Sequence, residues 1–290
     1  MTLPTSNVIR PHEKDIGFSV KRLLPAAQRQ RVGPFIFLDH MGPATFAPDS
    51  TANDVRPHPH IGLATVTYLF SGAMQHKDST GVEQRIEPGA VNLMTAGRGV
   101  VHSERIPADI RNSQTKVEGI QTWLALPEEA EETEPGFQHY TADSLPQWQD
   151  KGVTARVLIG SAFGLESPVK TASPTTYLDL QLDTGATLEL PALASDLALY
   201  IAAGSPHLNG EALPGFHLVL LDSGASIRLE AGNSPARVML LGGEPLPGVR
   251  HINWNFVSSR RERIDQARTD WQEDHFPKVQ GETERIPLPR

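Results

Sequence analysis

The chain has 290 residues, a formal charge of −8, 39% hydrophobic and 21% charged residues, and no cysteine. Without thiols there can be no disulfides, thiolate metal sites or thiol catalysis, so any metal must be held by histidine and carboxylate. The acidic balance opposes a phosphate backbone and disfavours direct nucleic-acid binding.

With 24 glycines and 24 prolines, many short strands joined by tight turns are expected rather than long helices. Residues 1–7 show no signal-peptide pattern, and apolar runs such as 197–203 are far shorter than a membrane span. A cytoplasmic location with no membrane partner is expected. Residues 16–126 read as strands and turns. Ile36-Phe37-Leu38 is a short apolar run, and Val66-Thr67-Tyr68-Leu69-Phe70 is β-branched and aromatic. Asp78-Ser79-Thr80-Gly81 reads as a hairpin turn, and Pro88-Gly89 and Gly97-Arg98-Gly99 punctuate the chain beyond it. After a strand at 121–126, residues 127–150 read as a connector, whose acidic run 127–135 reads as a solvated link rather than a cation site.

Strands resume at 155–160, 177–182, 186–190, 197–202, 217–221, 225–230 and 236–241. Residues 258–273 have helical periodicity. Ser259 and Glu262 stand at capping-box spacing, and Ile264, Ala267 and Trp271 share one face. The tail 276–290 reads as extended. Tyr68-Leu-Phe-Ser-Gly72 can be laid on Tyr200-Ile-Ala-Ala-Gly204, each followed by a Pro-Gly pair (Pro88-Gly89, Pro214-Gly215). The fold expected is all-β, a duplicated antiparallel barrel. An N-terminal domain spans 1–140, and a C-terminal domain with helix and tail spans 141–290.

The chemistry concentrates in two short motifs. In His58-Pro59-His60 and in His102-Ser103-Glu104, residues i and i+2 of a strand point to the same side. If the strands are neighbours, His58, His60, His102 and Glu104 converge as metal ligands. Three imidazoles and a carboxylate suit Fe(II), Mn(II), Ni(II), Cu(II) or Zn(II) rather than Ca(II). Four protein ligands leave two octahedral positions open for water, oxygen or a chelating substrate. Extending the alternation puts Gly62, Ala64, Val66, Tyr68 and Phe70 on the ligand side and Thr65 and Thr67 on the other; Gly62 and Ala64 are small and would leave room beside the histidines. His76, in a strand or turn near the site, reads as a surface residue, with a supporting contact beside the metal ligands as the alternative, and His40, His217 and His275 read as structural. In the second half, His58 corresponds to Leu190, His60 to Ala192 and His102 to Ile227. One metal per chain is therefore expected, in the first half.

Taken together, His58-Pro-His60, Thr65-Val-Thr67-Tyr68, Pro88-Gly89 and Met94-Thr-Ala-Gly-Arg-Gly-Val-Val-His102-Ser-Glu104 resemble the pirin family of the cupin superfamily. Ser173-Pro-Thr-Thr-Tyr-Leu-Asp179 and Phe276-Pro-Lys-Val agree with it. The resemblance implies a bicupin fold with one metal, usually iron, in the N-terminal barrel. Where pirins usually read His-Pro-His-Arg-Gly-Phe-Glu, this chain has Ile61 and Ala64 in place of the arginine and glutamate. Glu104 is then the candidate carboxylate.

The resemblance implies two functions. The first is an Fe(II)-dependent dioxygenase of the quercetin 2,3-dioxygenase type. It would act with dioxygen on a flavonol or another small aromatic or enol-type substrate, and Glu104 would accept the substrate's hydroxyl proton. The second is a non-catalytic, redox-responsive metal protein that regulates a protein partner, either a transcription factor or a metabolic enzyme.

Overall fold

The computed structural model describes residues 7–289. The first six residues, part of the stretch read as lacking a signal peptide, and residue 290 lie outside the described residues. The chain divides into two compact units. One takes residues through 13, 21–39 and 143–246; the other takes 14–20, 40–142 and the residues from 247 on. No helix among the described residues is long and apolar enough to cross a membrane.

In the unit built around residues 40–142, one antiparallel sheet runs in the order Val55–His60, Val100–Arg105, Met74–Asp78, Glu83–Ile86. A second contains, in order, Gly136–Tyr140, Val91–Thr95, Leu63–Ser71 and Val117–Ala125. Successive side chains of a strand point to opposite faces. Met74–Asp78 accordingly buries Met74, His76 and Asp78 and leaves Gln75 and Lys77 partly exposed. Leu69, Met74, Ile86, Ile106 and Val117 pack together inside. The turn after Asp78 forms as expected: its Oδ1 accepts the Thr80 N–H at 2.8 Å and the Thr80 hydroxyl at 2.6 Å.

Three sequence expectations fail here. The alternation begun at His58 does not run on past residue 60. Ile61 and Gly62 interrupt the strand, and Gly62 takes φ +67° with a Cβ position only 2.0 Å from the Val257 carbonyl oxygen. Only glycine fits there, so Gly62 provides close packing and no substrate space. The break resets the pleat. Thr67, an odd position, turns towards Glu104, with the two side-chain oxygens 3.5 Å apart.

The connector is not uniformly solvated. Gly136–Tyr140 and Gln147–Asp150 are strands, and Glu131 is buried against Arg250, Oε1 to Nε 3.1 Å. Nor does the capping box form. The helix spans Arg261–Gln272 with no side-chain cap, because Ser259 donates its Oγ–H to Glu131 instead, at 3.0 Å. The helix does bury Ile264, Ala267 and Trp271 as its periodicity requires, against Ile61, Val101, Phe256 and Phe276. Helix and tail thus belong to the unit of the His58 strand, although they are grouped in sequence with the second half.

The other unit repeats the plan. Its seven-stranded antiparallel sheet includes Asp196–Ala203, Ala236–Gly243, Thr175–Leu182 and Val153–Ile159 in that order. Its four-stranded sheet runs Thr187–Leu190, Ile227–Glu230, His207–Leu208, Glu211–Ala212. Leu188, Leu190, Ile227 and Leu229 join a continuous aliphatic core with Leu180, Leu199 and Val238.

Candidate metal centre

The strand Val55–His60 pairs antiparallel with Val100–Arg105, and His102 lies directly opposite His58. The pleat then brings His60 to the same side. One donor nitrogen from each of His58, His60 and His102 lies within 4.8 Å of the other two. His58 is 7% exposed, His60 and His102 1% each. The ring of Trp123 closes one side, its centroid 5.1 Å from that of His60.

The hydrogen bonds of the first two rings fix their tautomers. His58 donates Nδ1–H to the carbonyl of Arg56 at 2.9 Å, and His60 donates Nδ1–H to the carbonyl of Asn255 at 3.1 Å. A carbonyl can only accept, so each Nε2 carries a lone pair aimed into the cluster. Burial also keeps the rings uncharged: it lowers the His58 pKa to about 4 and holds those of His60 and His102 well below the usual range. Neutral imidazoles are the form that binds metal.

This donor set fits a transition metal. The Nε2 atoms of His60 and His102 are 3.1 Å apart. Two ligands with bonds of about 2.1 Å stand about 3.0 Å apart at neighbouring corners of an octahedron, and about 3.4 Å apart in a tetrahedron. The observed separation falls between these two values.

Glu104 is buried beside the cluster, 6% exposed, but is not one of the three groups whose donor atoms lie mutually within 4.8 Å. The ladder explains its offset. His102 faces His58, whereas Glu104 faces Val55, so the register slips between them. Burial raises the Glu104 pKa above its ordinary value, against opposing contributions from His76 and Thr67. Thr67 is itself held by a hydrogen bond of 2.7 Å to Gln121 Oε1.

His76, read from the sequence as a surface residue, is 3% exposed. It lies opposite Glu104 on the neighbouring strand, with Nδ1 3.4 Å from His102 Nδ1. The missed signal is the pattern His76-Lys-Asp78, which repeats the i, i+2 spacing of His58-Pro-His60 and His102-Ser-Glu104 on a third strand.

Known proteins resemble this chain over most of its length. The family description Pirin matches residues 17–124, and Pirin C-terminal cupin domain matches residues 177–277. A pirin-like protein of Caulobacter vibrioides is 46% identical over 267 residues, covering 91% of this chain and 92% of that protein. Human pirin is 32% identical over 275 residues, covering 90% of this chain and 89% of that protein. A crystal structure of quercetin 2,3-dioxygenase from Acinetobacter baumannii superposes with a TM-score of 0.88 at 35% identity, covering 98% of this chain and 94% of that one. The two-barrel cupin architecture expected from the sequence is therefore the fold observed.

Proposed function

The chain belongs to the pirin family, and on that premise we propose that it is a metal-dependent dioxygenase of the quercetin 2,3-dioxygenase type. The single observation that carries the proposal is the convergence of three neutral histidines in a buried cluster with a carboxylate beside it. His58, His60 and His102 would hold the ion, with Glu104 as a fourth donor, a set that suits Fe(II), Mn(II), Ni(II), Cu(II) or Zn(II). A bound ion of this kind would supply Lewis acidity and, for iron, one-electron chemistry with dioxygen.

The chain's own residues do the rest. Arg56 and Asn255 carbonyls keep the His58 and His60 rings turned with Nε2 inward. Trp123 and the surrounding strands exclude bulk water. Glu104, its proton affinity raised by burial, is suited to take the hydroxyl proton of a flavonol or another enol-type substrate at a carboxylate oxygen. Thr67, anchored by Gln121, is placed to orient that carboxylate.

A second reading, a redox-responsive protein that docks to a protein partner, has one observation in its favour. Ser103, the outward residue between His102 and Glu104, donates to Glu282 of the C-terminal tail at 2.8 Å, and Arg105 donates Nε–H to the same carboxylate at 3.1 Å. A charge change at the inner face therefore has a route to the tail. Reconstitution with Fe(II), Mn(II), Ni(II), Cu(II) and Zn(II), followed by flavonol absorbance and oxygen uptake, separates the two. Turnover that disappears in His102→Ala and Glu104→Ala supports the enzyme. No turnover with any metal, beside partner capture that depends on the metal, supports docking.

A further inference from the structure

His102 is the one ring of the three whose Nδ1 does not meet a carbonyl. Its neighbour there is another imidazole, His76, 3.4 Å away. An imidazole can either donate or accept, so this contact alone leaves the His102 tautomer undecided. The decision is made one residue further out. His76 Nε2 lies 3.0 Å from Asp78 Oδ2. Asp78 Oδ1 already accepts from the Thr80 N–H, the Thr80 hydroxyl and the Val82 N–H, a set of donors that stabilises the ionised carboxylate. An ionised carboxylate only accepts, so His76 carries its proton on Nε2 and presents a bare Nδ1 to His102. His102 then donates Nδ1–H and turns a bare Nε2 towards His60.

The pair is rigidly held. Asp78 Oδ1 is occupied by the Thr80 N–H, the Thr80 hydroxyl and, at 3.3 Å, the Val82 N–H, all donors. That leaves Oδ2 for His76. The ring of Phe137 stacks on His76 at 4.7 Å between centroids and 28° between planes. Asp78 also faces His102 directly across the ladder.

We propose that Asp78 and His76 are positioning residues that set the tautomer of His102, so that its Nε2 faces the metal site as a lone pair. The inference rests on His58, His60 and His102 being metal ligands, and the tautomer change carries no net charge. It makes an unusual demand of Asp78→Asn. The donors of Thr80 and Val82 hold the amide oxygen in the turn, so the amide NH2 faces His76. His76 must then accept at Nε2 and carry its proton on Nδ1. His102 is forced to accept at Nδ1 and to protonate the nitrogen that should bind metal. A near-isosteric change two residues removed would disable a ligand while leaving the hairpin turn intact.

The test uses the full chain, in two measurements. Side-chain ¹⁵N NMR of the metal-free protein reads the tautomers, and competition with a chelator reads Zn(II) affinity. In the wild type, protons are expected on His76 Nε2 and His102 Nδ1. Asp78→Asn should exchange both and lower Zn(II) affinity about 10–100-fold, the usual effect of losing an outer hydrogen-bond partner. His76→Gln, whose amide can accept from His102 and donate to Asp78, should stay within a few-fold of wild type. His76→Leu should match Asp78→Asn, and its thermal unfolding shows whether it has folded. Unchanged tautomers and affinity in Asp78→Asn would overturn the proposal, as would a doubly protonated His76 in the wild type. If the wild type binds no Zn(II), the ligand assignment fails, while the tautomers of the metal-free protein still decide the positioning role.

Discussion

In one four-stranded sheet His58 faces His102 across the ladder; at the matching place in the other, Leu190 faces Ile227. Both sheets place the facing pair on neighbouring strands, followed by a short hairpin. The scaffold is shared and the interiors are opposite. Leu190 and Ile227 complete an aliphatic core, where burial of each such side chain contributes about 1.5–3 kcal/mol. The histidines gain little from transfer out of water and need a partner for every ring nitrogen. Those partners are the carbonyl of Arg56 on the same strand, the carbonyl of Asn255 and the Asp78–His76 pair. A cupin barrel therefore becomes a metal site through its supports as much as through its ligands.

The sharpest contrast should come from truncating the matched residues. His102→Ala should weaken metal binding by more than about 100-fold, beyond what loss of an outer partner costs, and metal content after dialysis would read it. Ile227→Ala should leave metal content unchanged and cost about 2–5 kcal/mol in denaturant unfolding. The comparison can also be attacked by transplanting ligands. Leu190→His combined with Ile227→His should bind no second metal and should lose about 1–3 kcal/mol for each unsatisfied imidazole. A second equivalent of metal bound there would show that ligands alone suffice.

Acid should separate the units as well. His58 has a pKa of about 4 when folded and about 6.5 when unfolded. Above pH 6.5 the ring is neutral in both states and costs nothing. Between 6.5 and 4 the unfolded chain takes the proton and the folded chain does not. Stability of the metal-free protein therefore falls as pH falls, by about 2–3 kcal/mol from this residue at pH 4.5. Glu104, raised by burial, acts in the opposite sense. Denaturant unfolding at pH 7 and 4.5 should show this loss in the wild type and a flatter profile in His58→Phe; equal slopes would contradict it. The smallest effect expected is that of Ser103→Ala. Losing its bond to Glu282 should cost about 0.5–1.5 kcal/mol and speed hydrogen exchange in the tail, with metal content unchanged.

Where side chains share a strand, the sequence is a good guide. His58-Pro-His60 and His102-Ser-Glu104 announce their pleat, and the paired aliphatics Leu190 and Ile227 announce an interior without ligands. The expectations that fail depend on contacts distant in sequence. Gly62 reads as spare room until the Val257 carbonyl is seen against it. Ser259 reads as a helix cap until Glu131, 128 residues earlier, takes its hydrogen bonds. Thr67 reads as facing away because the pleat is reset at Ile61-Gly62, which no periodicity shows. His76 differs from these, because its signal is local: its partner Asp78 sits at strand spacing, just before a turn that the sequence does reveal.

The most direct test is anomalous scattering from crystals of protein purified without added metal, collected on either side of the iron, manganese, nickel, copper and zinc edges. One peak per chain is expected, within about 2.2 Å of the Nε2 atoms of His58, His60 and His102, with none beside Leu190 and Ile227. A metal-loaded crystal with no peak among the three histidines, or with its peak in the second barrel, would contradict the assignment of the metal centre.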